Sequence, residues 1–522
     1  MAKQKKPVKE KAIEVSLWES ANKLRGSVEP AEYKHVVLGL VFLKFASDKF
    51  AERRQELVAE GKDKYLEMPD FYNMKNVFFL EEKSRWNYIQ DRAKQPDLAL
   101  IIDTALHTIE KDNKALKGAL PDNYFSRLGL DPTKLAALVD EISNIDTLKD
   151  KKQDVVGKVY QYFLSKFALA EGKGKGEFYT PASIVNLIAE MIEPYEGIIY
   201  DPACGSGGMF VQSIKFIESH HGSKKKVSIY GQEYTNTTYK LAKMNLAIRG
   251  ISANLGEKAA DTFGQDQHPD LKADYIMANP PFNQKDWRGE KELTDDARWL
   301  GYDVPPRSNA NYGWILNIAA KLSDNGVAGF ILANGALSGG SEEYKIRRKL
   351  IENDLVEAIV VLPRNLFYTT DISVTLWILN KNKQAHSKSV GDETRHYRTR
   401  TGEILFMDLR QLGEPFEKKF TQFSEADIKL VARTYHDWQT TGAANIPEFC
   451  YTAHLEEVSS KDKDFSLVPS KYIEFVNRDE NIDFDQKMAG LQLEFAELLR
   501  AEDQSKKELL NVFKELGYAI EL

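Results

Sequence analysis

Ile198-Ile199-Tyr200-Asp201-Pro202-Ala203-Cys204-Gly205-Ser206-Gly207-Gly208-Met209 is the run on which the reading of the fold turns. Its apolar start reads as a buried strand, the glycines as a tight turn, and the residues from Met209 onward as the start of a helix. Gly205 and Gly207 let the backbone approach a ligand where a side chain would collide. The unpaired N–H groups of the following helix point at the same place. Working outward, the pattern repeats. Apolar strands at 197–200, 227–231, 251–255, 273–278 and 327–333 alternate with helical patterns near 209–219, 234–248 and 311–322, as in a parallel sheet covered by helices on both faces. The repetition then breaks: strand 355–362 is joined to strand 372–379 by only nine residues. That is too few for a crossover helix, so the last strand should return antiparallel. The sequence therefore predicts an α/β domain on a seven-stranded mixed sheet.

The glycine turn does not fit a dinucleotide. The fingerprint G-x-G-x-x-G would put a glycine where Phe210 stands, and a pyrophosphate would sit badly against Asp201. An ammonium would not, and the amino-acid end of S-adenosylmethionine carries one. Asp201 is thus matched to that cofactor, with Gly205, Ser206 and Gly207 forming the turn around it. The second strand ends in Gln232-Glu233. A bidentate carboxylate there suits the two adjacent ribose hydroxyls, which assigns Glu233 as the ribose clamp. After the third strand come Asp261-Thr262-Phe263. Asp261 can accept from the adenine amino group of the cofactor, and Phe263 can cover its ring.

The fourth strand ends in Asn279-Pro280-Pro281-Phe282. Pro280 and Pro281 stop the strand, stiffen the backbone and remove N–H donors, leaving carbonyls to face the site. An adenine amino group is a poor nucleophile because its lone pair is delocalised into the ring. The Asn279 side-chain oxygen and the Pro280 carbonyl can each accept one amino hydrogen, favouring a tetrahedral nitrogen and stabilising the charge that develops during transfer. Phe282 offers a plane on which a flipped base recovers about 1–3 kcal/mol by stacking. Neither Cys204, inside the turn, nor Cys450 is placed as a nucleophile for cytosine-C5 chemistry. Amine methylation needs no covalent intermediate and no metal.

Composition bounds the rest. With 522 residues, two or three domains are expected: a helical part over 1–170, the cofactor domain over 171–460, and a helical, partner-binding tail over 461–522. Ile13, Leu17, Ala21 and Leu24 form one helical stripe, and 33–50 reads as a core helix. The linker Glu171-Gly172-Lys173-Gly174-Lys175-Gly176 precedes a helix with Thr180 as its expected N-cap and Pro181 in its first turn. In the tail, Leu491, Phe495, Leu498, Leu509, Val512, Phe513 and Leu516 recur at helical spacing, fitting either packing within the chain or a seam with a helical partner. The net charge of -7 argues that much of the grip on DNA comes from a partner. Apolar runs stay far below the roughly 20 residues of a membrane helix. Two cysteines and no export-type N-terminus fit a cytoplasmic protein.

Taken together, Leu17-Trp18, Leu24-Arg25-Gly26, Gly176-Glu177-Phe178-Tyr179-Thr180-Pro181, the glycine turn from Asp201 to Gly208, and Asn279-Pro280-Pro281-Phe282 carry a resemblance. The chain resembles the modification subunit of type I restriction-modification systems, a gamma-class adenine-N6 DNA methyltransferase. The resemblance implies that Phe178, Tyr179 and Thr180 contact the cofactor's amino-acid end and wall its pocket. It implies double-stranded DNA as substrate, two modification subunits with one DNA-specificity subunit, and nuclease/translocase subunits when cleavage occurs. It also implies that the C-terminal helices pack near the specificity subunit's helical spacers. The loop 283–309, with Trp287, Arg288, Trp299 and Arg307, is expected to order over DNA, or else to be a solvated acidic insertion. Three alternatives stand beside this reading. A self-sufficient adenine methyltransferase would place target recognition in 384–460, where His386, Lys388, Arg395, Arg398 and Arg400 lie. The others are a methyltransferase acting on protein glutamine or RNA, and an assembly module with a vestigial pocket.

Overall fold

The computed structural model describes residues 18, 30–145, 160, 162–164, 166, 180–367, 371–390, 393–416, 419–442, 444–475 and 484–515. The expected helix at 13–25, apart from Trp18, the linker 171–176, and Phe178 and Tyr179 lie outside the described residues. The chain divides into two compact units, Met1–Ile473 and Glu474–Leu522.

In the first unit, helices α1 (Pro30–Ala59), α2 (Leu98–Asp112) and α3 (Pro132–Ser143) lead. Val36, Val37, Leu38, Leu40, Val41, Phe42 and Leu43 of α1 are all buried, as befits a helix that is apolar on every side. Helix α3 starts where the Asp131 carboxylate accepts the N–H groups of Thr133 and Lys134, with Pro132 in the first turn.

Next come α4 (Ala182–Ile192), β1 (Gly197–Asp201), α5 (Gly208–Ser219), β2 (Val227–Gly231), α6 (Asn236–Ile248), β3 (Ala253–Asn254) and β4 (Ala273–Ala278). They are followed by α7 (Asn311–Lys321), β5 (Leu322–Ala333), α8 (Ser341–Glu352), β6 (Val356–Val361) and β7 (Val374–Asn380). The helical core of the N-terminal part extends to Leu241, Met244 and Ile248 of α6. Lys240 and Lys243 of the same helix donate to the carbonyls of Leu120 and Lys117.

Strand β7 runs antiparallel to both β5 and β6, as the short connection required. The sheet is larger than expected. After the hairpin β8 (His386–Val390) and β9 (Glu393–Tyr397) come β10 (Glu403–Asp408), a short hairpin of β11 (Glu414–Phe416) and β12 (Phe420–Gln422), α9 (Glu425–Thr441) and β13 (Cys450–His454). The sheet has nine strands in the order β13-β10-β6-β7-β5-β4-β1-β2-β3. The reason is apolar: Ile404, Leu405, Phe406 and Met407 are buried, so β10 completes the core by pairing with β6. Of 384–460, strands β10 and β13 join the main sheet, while β8-β9 and β11-β12 form two separate hairpins.

A buried ion pair ties this extension in. Glu357 of β6 accepts from Arg400 at 2.8 Å, Asn380 at 2.7 Å and the Tyr435 hydroxyl at 2.9 Å. Burial raises its carboxyl, but the Arg400 charge and these donors outweigh it and hold the group below the usual carboxylate range.

In the second unit, α10 (Phe484–Glu515) is one continuous helix, so the polar stretch at 502–508 does not break it. Phe484, Met488, Leu491, Phe495, Leu498, Leu509 and Val512 are exposed and alternate at four- and three-residue steps, interrupted at Glu502 and Ser505. That is a heptad seam with two polar positions. Among the described residues no helix is long and apolar enough to cross a membrane.

Candidate active site

Strands β1, β2 and β4 are neighbours in the sheet. Their carboxyl ends carry Asp201, then Gln232-Glu233, then Asn279, in the crevice where open α/β sheets bind ligands. Thr180, Asp201, Gly205, Ser206, Met209 and Asn279 line one cleft. The structure thus brings the glycine turn and the first residue of the Asn-Pro-Pro-Phe motif together.

The two glycines do different work. Gly205 has φ +53°, and a Cβ built on it would meet nothing within 4 Å, so it faces open space where a ligand can approach. Gly207 has φ +78° and sits against Leu246 of α6, 3.4 Å from the position of a Cβ. Its need is a left-handed backbone rather than ligand clearance. The Ser206 carbonyl accepts from Asn245 at 2.7 Å.

Asp201 is 1% exposed and accepts the Ala203 N–H at 2.9 Å. Burial pushes its carboxyl up to about 8; the Ala203 N–H works against that rise, and the nearby Glu233 charge adds to it. An acid so raised is suited to a cationic ligand, whose charge replaces the lost hydration. Glu233 accepts from the Gly205 N–H at 3.1 Å and the Thr235 N–H at 2.7 Å. These bonds hold the carboxylate at the carboxyl end of β2, beside the glycine turn.

Asp261 spends its carboxylate on its own turn, accepting from Phe263 N–H at 3.2 Å and Gly264 N–H at 2.9 Å, and remains half-buried. Phe263 does not wall an open pocket. It is 2% exposed, with ring centroids 4.4 Å from Trp287 and 4.3 Å from Trp314, so its faces are covered by tryptophan.

Asn279 is 8% exposed. Its Nδ2 donates to Thr180 Oγ1 at 3.0 Å, while its Oδ1 is buried with no hydrogen-bond partner among the described residues. Thr180 is not the N-cap of α4: that position is Pro181, with no side-chain cap, and the Thr180 hydroxyl is engaged by the Asn279 amide. Pro280 is buried, and Pro281 and Phe282 are half-buried. The Phe282 ring meets Phe367 edge-on, with centroids 6.2 Å apart.

The loop 283–309 is neither an open flap nor a loose acidic insertion. Trp287 and Trp299 are buried at 8% and 3% exposure. Trp287 donates to the Pro306 carbonyl at 2.9 Å, and Arg307 pairs with Asp286 at 2.7 Å. Burying two tryptophans folds the loop onto Phe263, beside Trp314 of α7.

Sequence reasoning missed three residues. Gln232 is fully buried and holds the cofactor loop, donating to the carbonyls of Ala260 at 3.2 Å and Gln265 at 2.7 Å and accepting from Gln267 N–H at 3.1 Å. An amide beside the strand-end acid was the available signal. Tyr234 follows Glu233 and is 75% exposed, an aromatic beside the carboxylate expected to clamp the ribose. Phe367, 1% exposed, buttresses Phe282 from 85 residues downstream, with no local signal.

A family model described as N-6 DNA Methylase matches residues 151–481, and one described as HsdM N-terminal domain matches residues 13–142. The chain is 43% identical to the Type I restriction enzyme HindI methylase subunit of Haemophilus influenzae, over 79% of this chain and 92% of that protein. It is 35% identical to the MjaIX methylase subunit of Methanocaldococcus jannaschii, over 97% of this chain and 92% of that one. A crystal structure of the methyltransferase subunit of a type I restriction-modification system from Streptococcus thermophilus shares the fold, with a TM-score of 0.73 at 23% identity, covering 88% of this chain and 99% of that one.

Proposed function

Because this chain belongs to the N-6 adenine DNA methylases that form the methylase subunits of type I restriction enzymes, we propose that Asn279 and the Pro280 carbonyl receive the two hydrogens of the target adenine's amino group. The chain is an S-adenosylmethionine-dependent DNA methyltransferase acting on the N6 of adenine, as the modification subunit of a multisubunit restriction-modification complex.

One observation carries the residue assignment: Asn279 Oδ1 is a buried acceptor with no donor among the described residues, while its Nδ2 is committed to Thr180. A buried unsatisfied acceptor costs about 1–3 kcal/mol, and a donor arriving with the substrate relieves that cost. Thr180 fixes which end of the amide faces the base, so no reorientation is needed as charge develops. Phe282 receives the flipped ring on its face, backed by Phe367.

When bound, S-adenosylmethionine supplies the electrophilic methyl group. Asp201 holds its ammonium, Gly205, Ser206 and Gly207 shape the turn around its amino-acid end, Glu233 takes the ribose hydroxyls, and Asp261 faces its adenine. Thr180, which lines the same cleft, walls the amino-acid end. The raised Asp201 acid and the open space at Gly205 support this fit.

Assembly follows from chemistry of the same kind. The net charge of -7 favours a partner that supplies much of the grip on DNA and the choice of site, read here as a DNA-specificity subunit; a second copy of this chain and a nuclease/translocase subunit for cleavage are what the family resemblance implies. The domains divide as 1–170, 171–460 and 461–522, and the heptad seam of α10 suits a helical partner. The test is co-purification with the native partner and mapping of N6-methyladenine on DNA. The wild-type complex should mark one defined sequence, and an Asn279→Ala complex should assemble and leave it unmarked. Efficient site-specific methylation by the isolated chain would overturn the subunit reading. Label appearing in protein or RNA while DNA stays unlabelled would overturn the base.

A further inference from the structure

Arg298 lies in the 3-10 turn Ala297–Trp299 of the loop that follows the Asn-Pro-Pro-Phe motif, and its guanidinium has a bond for each of its five N–H donors. Nε donates to Asp296 Oδ1 at 2.8 Å and Nη2 to Asp296 Oδ2 at 2.7 Å. Nη1 donates to the Thr262 carbonyl at 2.8 Å and to Asn317 Oδ1 at 3.2 Å, and Nη2 to the Phe263 carbonyl at 2.7 Å. The two carbonyls belong to the loop that carries Asp261. The side chain is 9% exposed, so these bonds are shielded from water.

The segment holding Arg298 is also fixed to the target-base side. Asn283, directly after Phe282, donates its N–H to Asn311 Oδ1 at 3.0 Å and accepts from Asn311 Nδ2 at 2.9 Å. Trp287 and Trp299 from this segment, with Trp314 of α7, pack around Phe263. One guanidinium therefore bridges two loops that meet different substrates. Its planar fork spans a carboxylate and two consecutive carbonyls at once, which the single point charge of a lysine cannot reproduce.

We propose that Arg298 is a positioning residue that locks the cofactor-adenine loop to the segment following the target-base motif, so that S-adenosylmethionine binding and adenine binding are energetically coupled. This rests on the assignment of Asp261 to the cofactor's adenine. Arg298 itself touches neither substrate. Its removal frees the Thr262–Phe263 backbone, weakens cofactor binding, and abolishes the gain in DNA affinity that bound cofactor gives.

The experiment is calorimetric titration of S-adenosylhomocysteine into the full chain and into Arg298→Met, Arg298→Lys and Asp261→Ala, with DNA affinity of the partner-bound complex measured with and without that ligand. Fluorescence of the tryptophans around Phe263 reports the loop directly. The expected result is an affinity loss on the order of tenfold in both Arg298 variants, about 1.4 kcal/mol, with lysine failing to rescue and the fluorescence response to ligand altered. A cofactor affinity within twofold of wild type in Arg298→Lys, while Asp261→Ala binds weakly, would overturn the lock alone. Unchanged affinity in Asp261→Ala would instead remove the loop assignment beneath it. If Arg298→Met fails to fold, Asn317→Ala removes one acceptor of the same guanidinium and should shift affinity in the same direction; no shift there overturns the proposal.

Discussion

Cofactor affinity should depend steeply on pH through Asp201. Burial pushes its carboxyl from 3.8 up to about 8, so at pH 7 about nine chains in ten carry it protonated. An α-amino group titrates at about 7.7–8.0, so the cofactor arrives at pH 7 mostly as the ammonium. Pairing the two charges drives the Asp201 proton off. Binding at pH 7 should thus release somewhat less than one proton, and affinity should climb nearly tenfold per unit from pH 6 to pH 7, or about 1.4 kcal/mol. Above about pH 8 the acid is already ionised while free cofactor loses its own proton, so affinity should turn over. The sign for stability runs the other way. Between 3.8 and about 8 the folded state holds the proton more tightly than the unfolded chain, so Asp201's contribution to stability falls as pH rises through that window. Cofactor should offset that fall, and the rise in Tm on adding it should grow from pH 6 to pH 8. Calorimetry in buffers of different ionisation enthalpy measures the proton count directly. Asp201→Asn should bring it close to zero and weaken binding about ten- to a hundredfold. A wild-type proton count near zero at pH 7, with affinity flat from 6 to 8, would refute the pairing of Asp201 with the ammonium.

Four further outcomes are expected. Asn279→Ala should lower kcat about 10²- to 10³-fold with assembly intact by gel filtration, and Thr180→Val, which frees the amide to rotate, should lower kcat less and leave cofactor affinity near wild type; equal loss of folding and activity in both would remove their roles. Phe282→Ala should cost about 1–3 kcal/mol in binding of the flipped base, with a smaller deficit on DNA whose target adenine is mismatched and already unstacked, read by filter binding. Gly207→Val places a β-branched residue at φ +78° against Leu246 and should lower Tm through backbone strain as well as weaken cofactor binding; unchanged affinity in the folded variant counts against the turn assignment. Arg400→Met leaves Glu357 buried without its ion partner and should cost about 3–5 kcal/mol of stability by denaturant titration, much of it restored in the double variant with Glu357→Leu.

The features that could be read in sequence were local ones. A strand, two glycines and a helix start occupy a dozen consecutive residues, and Asn279 to Phe282 are contiguous, so short-range pattern reached both. The antiparallel β7 followed from loop length alone. What failed depended on distant partners. Thr180 beside Pro181 has the look of an N-cap, yet its hydroxyl goes to an amide far along the chain. Trp287 and Trp299 in a charged loop look like surface residues, but Phe263 and Trp314 supply the apolar neighbours that bury them. Helix α8 went unseen because only Ile346, Leu350 and Ile351 mark its buried apolar stripe among charged residues. The two extra strands were hidden because 384–460 was read for its cations. Arg400 is buried at 1% exposure and pairs with Glu357, and Arg398 pairs with Glu403, so both satisfy carboxylates of the fold.

The bond between Thr180 and Asn279 joins residues 99 apart in the chain, with β1, β2 and β4 formed in between. Closing a contact of that span carries a loop entropy that is repaid only once the intervening strands have paired. The Asn279 amide proposed to meet the target adenine is thus oriented only when chain from both sides of the glycine turn has come together: a chain that ends short of residue 279 can hold the complete turn and still lack the acceptor.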